Sequence, residues 1–120
     1  MAVFINHSNH LSEKWPAGQK EAALAYGEIV DLEFPVVKAD CNEDVVRGMA
    51  KEAFAKITAM HPVAVLCQGE YTYTYELVKM LKEAGITTVA ACSERKASEV
   101  SNGEISRKIT YFQFVRFRKY

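Results

Sequence analysis

A mixed α/β domain with a mostly parallel sheet is the class this sequence predicts, on three observations. Apolar runs of strand length, at residues 2–5, 28–34, 63–67 and 86–92, recur along the chain. Segments of helical period separate them, and such alternation implies crossovers that leave the strands parallel. Asn102-Gly103 then marks a tight hairpin near the C-terminus, which adds an antiparallel pair. At 120 residues the chain is expected to form one domain, residues 1–120. The architecture expected is a three-layer sandwich, with helices on both faces of the sheet.

Taken in order, the first strand, Ala2 to Ile5, runs into Asn6-His7-Ser8-Asn9-His10, five consecutive polar residues. Ser12 and Pro16 are helix-start signals, because a hydroxyl can cap free N–H groups and proline is tolerated in the first turn. The helix continues through Gln19, Ala22, Ala23 and Tyr26, and Gly27 suits a left-handed stop. Glu28 to Phe34 alternates partly with period two and is closed by Pro35. Asn42 caps a long helix to about Met60, which places Val45, Val46, Met49, Ala53, Phe54 and Ile57 on one face. His61-Pro62 breaks it. Val63 to Cys67 is apolar throughout, as burial on both faces requires. Leu77, Val78, Leu81 and Ala84 point the next helix inward, and Gly85 ends it. The fourth strand is expected to stop at Ser93-Glu94-Arg95-Lys96. Ile109 to Tyr120 reads as a long last strand, with Phe112, Phe114, Arg116 and Arg118 on one face and Val115 and Phe117 on the other.

Composition narrows the function classes. Lys+Arg and Asp+Glu both number 15, for a formal net charge of zero. That balance argues against non-specific binding to long nucleic acid, which needs a basic surface. It leaves room for a small anion in a local pocket. No segment approaches the roughly 20 apolar residues of a membrane span, and no signal-peptide pattern is present, so a cytoplasmic protein is expected. Cys41, Cys67 and Cys92 have no C-x-x-C spacing and read as small apolar residues in a reducing compartment.

Three parallel strands end in polar clusters: Asn6, His7, Ser8 and His10 after the first, Gln68 and Glu70 after the third, Ser93, Glu94 and Arg95 after the fourth. Right-handed crossovers bring these ends to one edge of the sheet, where open α/β folds bind ligands. The third cluster opens a helix, whose first N–H groups are free to hold an anion. Gln68, Gly69, Glu70 and Thr72 are therefore candidates for a phosphate site. Tyr71, Tyr73 and Tyr75 alternate, and one that faces away from the core can stack on a base. Each residue also has a plainer reading. A lone histidine is often satisfied by backbone, Glu70 suits the macrodipole at a helix start, and Arg95 suits a surface ion pair. Neither a metal-ligand spacing nor a Walker A, G-x-G-x-x-G or G-x-S-x-G motif is present. No metal and no cofactor are expected.

Ser93-Glu94-Arg95-Lys96, Glu99, Gly103 and Phe112-Gln113-Phe114-Val115-Arg116-Phe117-Arg118-Lys119-Tyr120 resemble the small Rossmann-like (CARF-like) CRISPR-associated ring nucleases of type III systems. Gln68-Gly69-Glu70, followed by an aromatic residue and threonine, is similar to their Q-G-(D/E) turn. The resemblance covers residues 66–120. It implies a homodimer that binds cyclic tetra- or hexa-adenylate and cleaves it without metal, damping an antiviral signal. A ribose 2′-OH would attack the adjacent phosphate and leave a 2′,3′-cyclic phosphate. On that reading His7 transfers a proton or donates to phosphate, Ser8 and the amides from Gly69 to Thr72 hold phosphate, Glu70 orients a ribose hydroxyl, and Arg95 neutralises charge. Asn6, His10, Gln68, Tyr71, Ser93 and Glu94 complete the expected ligand contacts. The relatives end the first strand in Ser-His, whereas here the order is Asn6-His7-Ser8-Asn9-His10, so either His7 or His10 takes the proton-handling place. Two alternatives share the same residues: a sensor or sponge that binds without cleaving, and an interaction subunit using the aromatic, basic last strand.

Overall fold

The computed structural model describes residues 1–120. Five strands form one sheet in the order β2-β1-β3-β4-β5: β1 (Val3–Ser8), β2 (Glu28–Asp31), β3 (Ala64–Gln68), β4 (Thr87–Asn102) and β5 (Ile105–Lys119). The pairings β1–β2, β1–β3 and β3–β4 are parallel, and β4–β5 is antiparallel. The mixed α/β class with a closing antiparallel pair is thus as the sequence predicts. Three α-helices, α1 (Ala17–Leu24), α2 (Glu43–Ala59) and α3 (Tyr71–Glu83), connect the strands.

Alternation along β1 shows how the core divides. Phe4 packs with Trp15, Ala23, Leu66, Val89 and Phe117 on the α1 side. Its neighbour Ile5 packs with Val46, Ile57, Val65, Leu77 and Leu81 on the α2–α3 side. Each buried valine, leucine, isoleucine or phenylalanine among them contributes about 1.5–3 kcal/mol through burial. In α2 the buried positions are Val46, Ala50, Ala53 and Ile57, and the Asn42 side chain caps its start by accepting from Val45 N–H at 3.0 Å. Val45, expected inward, is exposed. In α3 Leu77, Val78 and Leu81 are buried as expected, whereas Ala84 is a solvent-facing cap residue.

Element ends depart from expectation where tertiary contacts override local signals. β1 extends three residues past Ile5, because Asn6, His7 and Ser8 pair with Leu66, Cys67 and Gln68. Ser12 opens a one-turn 3-10 segment, Ser12–Lys14, and its hydroxyl donates to Asp31 instead of capping. The α-helix starts only after Pro16. Gly27 ends this unit through close approach, since a Cβ there would sit 2.6 Å from the Ala2 carbonyl group.

The largest departure is in the last third. β4 does not stop at Ser93 but continues to Asn102, and β5 returns beside it for its whole length. β3 pairs with β4 only as far as Val89, so the outer hairpin is a two-stranded arm. A radius of gyration of 17.1 Å, with extents of 57 × 39 × 21 Å, exceeds the roughly 13.6 Å of a compact chain this long. The turn is Gly103-Glu104 and not Asn102-Gly103: Asn102 pairs with Ile105, and Gly103 has φ +66°. Glycine at the first central position of a two-residue turn is the pattern that needs a positive φ there. A β-bulge between Cys92 and Ser93, opposite Val115, inserts one residue into β5. It places Phe114 and Phe117 on the same face, 5.0 Å apart, where strict alternation separates them.

Candidate functional site

Where β1 and β3 lie side by side, the chain leaves β1 toward β2 on one side and β3 toward β4 on the other. Such a reversal opens a crevice at the C-terminal strand ends. An open cavity of about 1100 Å³ lies there, on the α1 side of the sheet. Ser8, Asn9 and His10 enter it from the end of β1, Gln68, Gly69 and Tyr71 from the end of β3, and Ser93 from β4. Lys14 and Trp15, just before α1, form one wall with Gln19 of α1, and Phe112 and Phe114 form the β5 wall. No carboxylate lines it.

A hydrogen-bond network shapes the β1 wall. Asn6 is 2% exposed. Its amide donates to the His10 carbonyl at 2.8 Å and to Asp31 at 2.7 Å, and its side-chain oxygen accepts from Ser8 Oγ at 2.7 Å. The Trp15 indole N–H also donates to the His10 carbonyl, at 3.2 Å. These bonds hold the backbone of the 8–11 loop, so that His10 faces the cavity. Asn6 is a support beneath the site and not part of its lining.

His7 points to the opposite face. It is 1% exposed and packed between the rings of Phe34 and Tyr73. Nδ1 lies 3.0 Å from the Leu32 carbonyl, an acceptor only, so Nδ1 carries the proton and Nε2 accepts the Tyr73 hydroxyl at 2.7 Å. Burial holds its pKa below the ordinary histidine value, the Leu32 bond opposing and Lys56 adding to the shift. The neutral ring is fully engaged and does not reach the cavity.

Glu70 and Thr72 close on each other. Each Glu70 carboxylate oxygen accepts a backbone N–H, Thr72 at 3.0 Å and Tyr73 at 2.9 Å, and the Thr72 hydroxyl lies 2.6 and 2.8 Å from the pair. The Thr72 hydroxyl and the Tyr73 N–H hold the carboxyl below its usual pKa range. The α3 N-terminus therefore already holds an anion, its own Glu70. Before it, Gly69 lies so close to Phe34 that a Cβ would meet the ring at 2.2 Å.

Gln68 works as an extension of the sheet. Its Oε1 accepts the Ala91 N–H at 2.9 Å where β3 has ended, which leaves its amide N–H groups for the cavity. Tyr120 reaches back to the Cys67 carbonyl at 2.7 Å, and burial pushes the Cys67 thiol up to about 12. Tyr71 is 90% exposed at the cavity edge, whereas Tyr73 is in the core. Arg95 stands opposite Phe112 on the arm, one step outward from Ser93 on the same face, and has no carboxylate partner. Glu94 is on the other face, paired with Lys96 at 3.0 Å.

Of the residues expected in one site, the cavity thus brings together Ser8, His10, Gln68, Gly69, Tyr71 and Ser93, whereas Arg95, opposite Phe112 on the arm, is not part of its lining. His7, Glu70, Thr72, Asn6 and Glu94 are committed elsewhere. Lys14, Trp15 and Gln19 carried no site signal in sequence. Phe112 and Phe114 stood out in the C-terminal motif but were not among the expected site residues. The structure contains no group of three or more His, Cys, Asp or Glu side chains placed to hold a metal ion, and no helix is long and apolar enough to cross a membrane.

The profile of the uncharacterized protein MJ1673 family matches residues 2–118. No curated protein matches the chain.

Proposed function

We propose that this chain, which belongs to the uncharacterized protein MJ1673 family, is a Rossmann-like domain that binds a cyclic oligoadenylate in the cavity beside His10 and cleaves it without metal. The observation that carries this reading is the lining itself. About 1100 Å³ is at the upper end of ligand pockets, roughly 300–1,000 Å³, and suits something larger than a mononucleotide. Aromatic faces for bases (Tyr71, Phe112), hydroxyl and amide donors for phosphate (Ser8, Ser93, Gln68) and the Lys14 cation meet there, with no carboxylate to repel a polyanion. The resemblance of residues 66–120 to ring nucleases supports the choice of ligand.

His10 is assigned the proton transfer. Its imidazole takes the proton of a ribose 2′-OH, the oxygen attacks the neighbouring phosphorus, and the P–O5′ bond breaks. The leaving 5′-oxygen takes a proton from water and ends as a hydroxyl, His10 gives its proton back to solvent, and the product is a linear oligonucleotide with a 2′,3′-cyclic phosphate. Lys14 and the hydroxyl groups stabilise the charge that develops on phosphate, and Arg95, one step outward from Ser93 on β4, is assigned the same role. Loss of the ring would damp a type III CRISPR antiviral response. A second reading, a sensor that binds without cleaving, is favoured by one feature: with His7 and Glu70 engaged, the lining keeps one imidazole and no carboxylate for acid–base work.

Incubation with cyclic tetra- and hexa-adenylate in EDTA, followed by mass spectrometry, separates the two. Linear product carrying a cyclic phosphate, reduced roughly 100-fold or more in His10→Ala, is the expected result. Absence of linear product at micromolar enzyme overturns the cleavage reading, and saturable binding in that same sample would establish the sensor.

A further inference from the structure

The parallel register of β1 and β2 sets Asn6 directly beside Asp31. Asp31 is the last residue of β2 and does not line the cavity. Its two carboxylate oxygens nevertheless take three donors. Oδ1 accepts the Asn6 side-chain amide at 2.7 Å and the Ser12 backbone N–H at 3.2 Å, and Oδ2 accepts the Ser12 hydroxyl at 2.8 Å. A carboxylate accepts only, so it fixes which way the Asn6 amide is turned. The amide nitrogen must face Asp31, and its second N–H then meets the His10 carbonyl at 2.8 Å. The amide oxygen is left for the Ser8 hydroxyl at 2.7 Å.

One carboxylate thereby holds two stretches of the cavity wall. Through Asn6 it holds the peptide of His10. Through Ser12 it anchors the first residue of the one-turn segment that ends in Lys14. Apart from Ser8, two positions away, the His10 carbonyl has only Asn6 and Trp15 as partners. The Trp15 ring is fixed in turn by packing on Phe4 and Phe117. Neither the His10 imidazole nor the Lys14 ammonium forms a hydrogen bond or ion pair within the chain. The backbone alone therefore sets where these two groups stand.

We infer that Asp31 is the positioning residue of the cavity, acting through Asn6 and Ser12 to place His10 and Lys14 together against one phosphodiester. This rests on the assignment of proton transfer to His10 and of charge stabilisation to Lys14. Groups placed before the ligand arrives need no rearrangement at the moment of reaction, and a misplacement of about 1 Å can cost 100-fold in rate. Asp31 does this from outside the lining, so its negative charge orders the wall without standing in the space that a polyanion would fill.

Asp31→Ala and Asp31→Asn, compared with the wild type in two readouts, test it. Trp15 is the single tryptophan, so the protein gives one indole N–H resonance, and that N–H is bonded to the His10 carbonyl. In Asp31→Ala its exchange with deuterium is expected to accelerate roughly 10-fold or more by local opening. The amides of Ile5 and Leu77, in the core, should keep wild-type exchange, whereas a general loss of stability would speed all three. In cleavage of cyclic tetra- or hexa-adenylate the same variant is expected to lose about 10–100-fold in kcat, with a smaller change in KM. Asp31→Asn should recover most of both losses. Its oxygen can stand where Oδ1 stands, and the Ser12 hydroxyl can accept from its amide. Unchanged indole exchange in a folded Asp31→Ala protein overturns the inference, and so does a kcat equal to that of the wild type. The exchange measurement needs no ligand. If the wild type cleaves neither ring, the cleavage reading fails, and the indole still decides whether Asp31 holds the His10 loop. If Asp31→Ala does not fold, Asp31→Glu decides. It keeps the charge but moves the carboxylate out by one methylene, so faster indole exchange and lower kcat are expected again, and wild-type values in both overturn the inference.

Discussion

His7 and Glu70 carry the most conspicuous polar chemistry in the sequence, and both use it to hold the fold. The His7 ring is buried neutral, with its pKa lowered chiefly by desolvation. Between its lowered folded value and the ordinary histidine value, the unfolded chain binds more protons than the folded one, so stability rises with pH there. Its contribution is complete above the ordinary value and is lost as pH falls toward the folded one. Urea unfolding from about pH 7 to about pH 5 should show a decline that His7→Gln flattens. Glu70 follows carboxylate logic, present above its ordinary range and lost as pH falls through its lowered value. Removing this cap with Glu70→Ala should cost about 0.5–1 kcal/mol in the same assay, the lower half of the range for a solvent-facing cap. Glu70→Gln should leave cleavage close to wild type, because the carboxylate serves the helix and not the ligand. Sequence could place both residues at strand ends. It could not show which side of the sheet His7 faces, since that depends on β1 continuing to Ser8 and so on its pairing with β3.

At the scale of elements, one inserted residue decides the shape of the site. The bulge at Val115 lets Phe117 pack on Phe4 and Trp15 while Phe112 and Phe114 reach the cavity from the same face. Deleting Val115 restores strict alternation and turns one of these groups outward. Loss of Phe117 from the core should lower stability by about 3 kcal/mol or more, read as a shift of the urea midpoint. The succession of strands and helices, the Asn42 cap and most of the inward face of α3 were legible, because each is written in apolar spacing or a capping residue. The bulge was not, because an extra residue in a strand has no composition of its own. The arm was hidden for a related reason: Ser93-Glu94-Arg95-Lys96 is polar enough to read as a loop, yet nothing in it prevents an extended chain from pairing with β5. Gly103 signalled a turn correctly, but one residue early.

The molecule as a whole is an electrically neutral α/β body with a projecting arm and a cavity free of carboxylates at the reversal point of its sheet. Half of the expected site was legible, since polar residues after parallel strands converge on one edge whatever the details of packing. The other half required the face of each side chain and the position of the one-turn segment before α1, which supplies Lys14 and is followed by Trp15. Trp15 is the single tryptophan of the chain and lines the cavity, so its fluorescence reports on the central claim without a label. Titration with cyclic tetra- and hexa-adenylate in EDTA should change that emission saturably, with Tyr71→Ala and Phe112→Ala weakening the response and 5′-AMP producing it only at far higher concentration. If neither ring alters the Trp15 emission, and calorimetry on the same samples records no heat of binding, the cavity is not a site for these ligands.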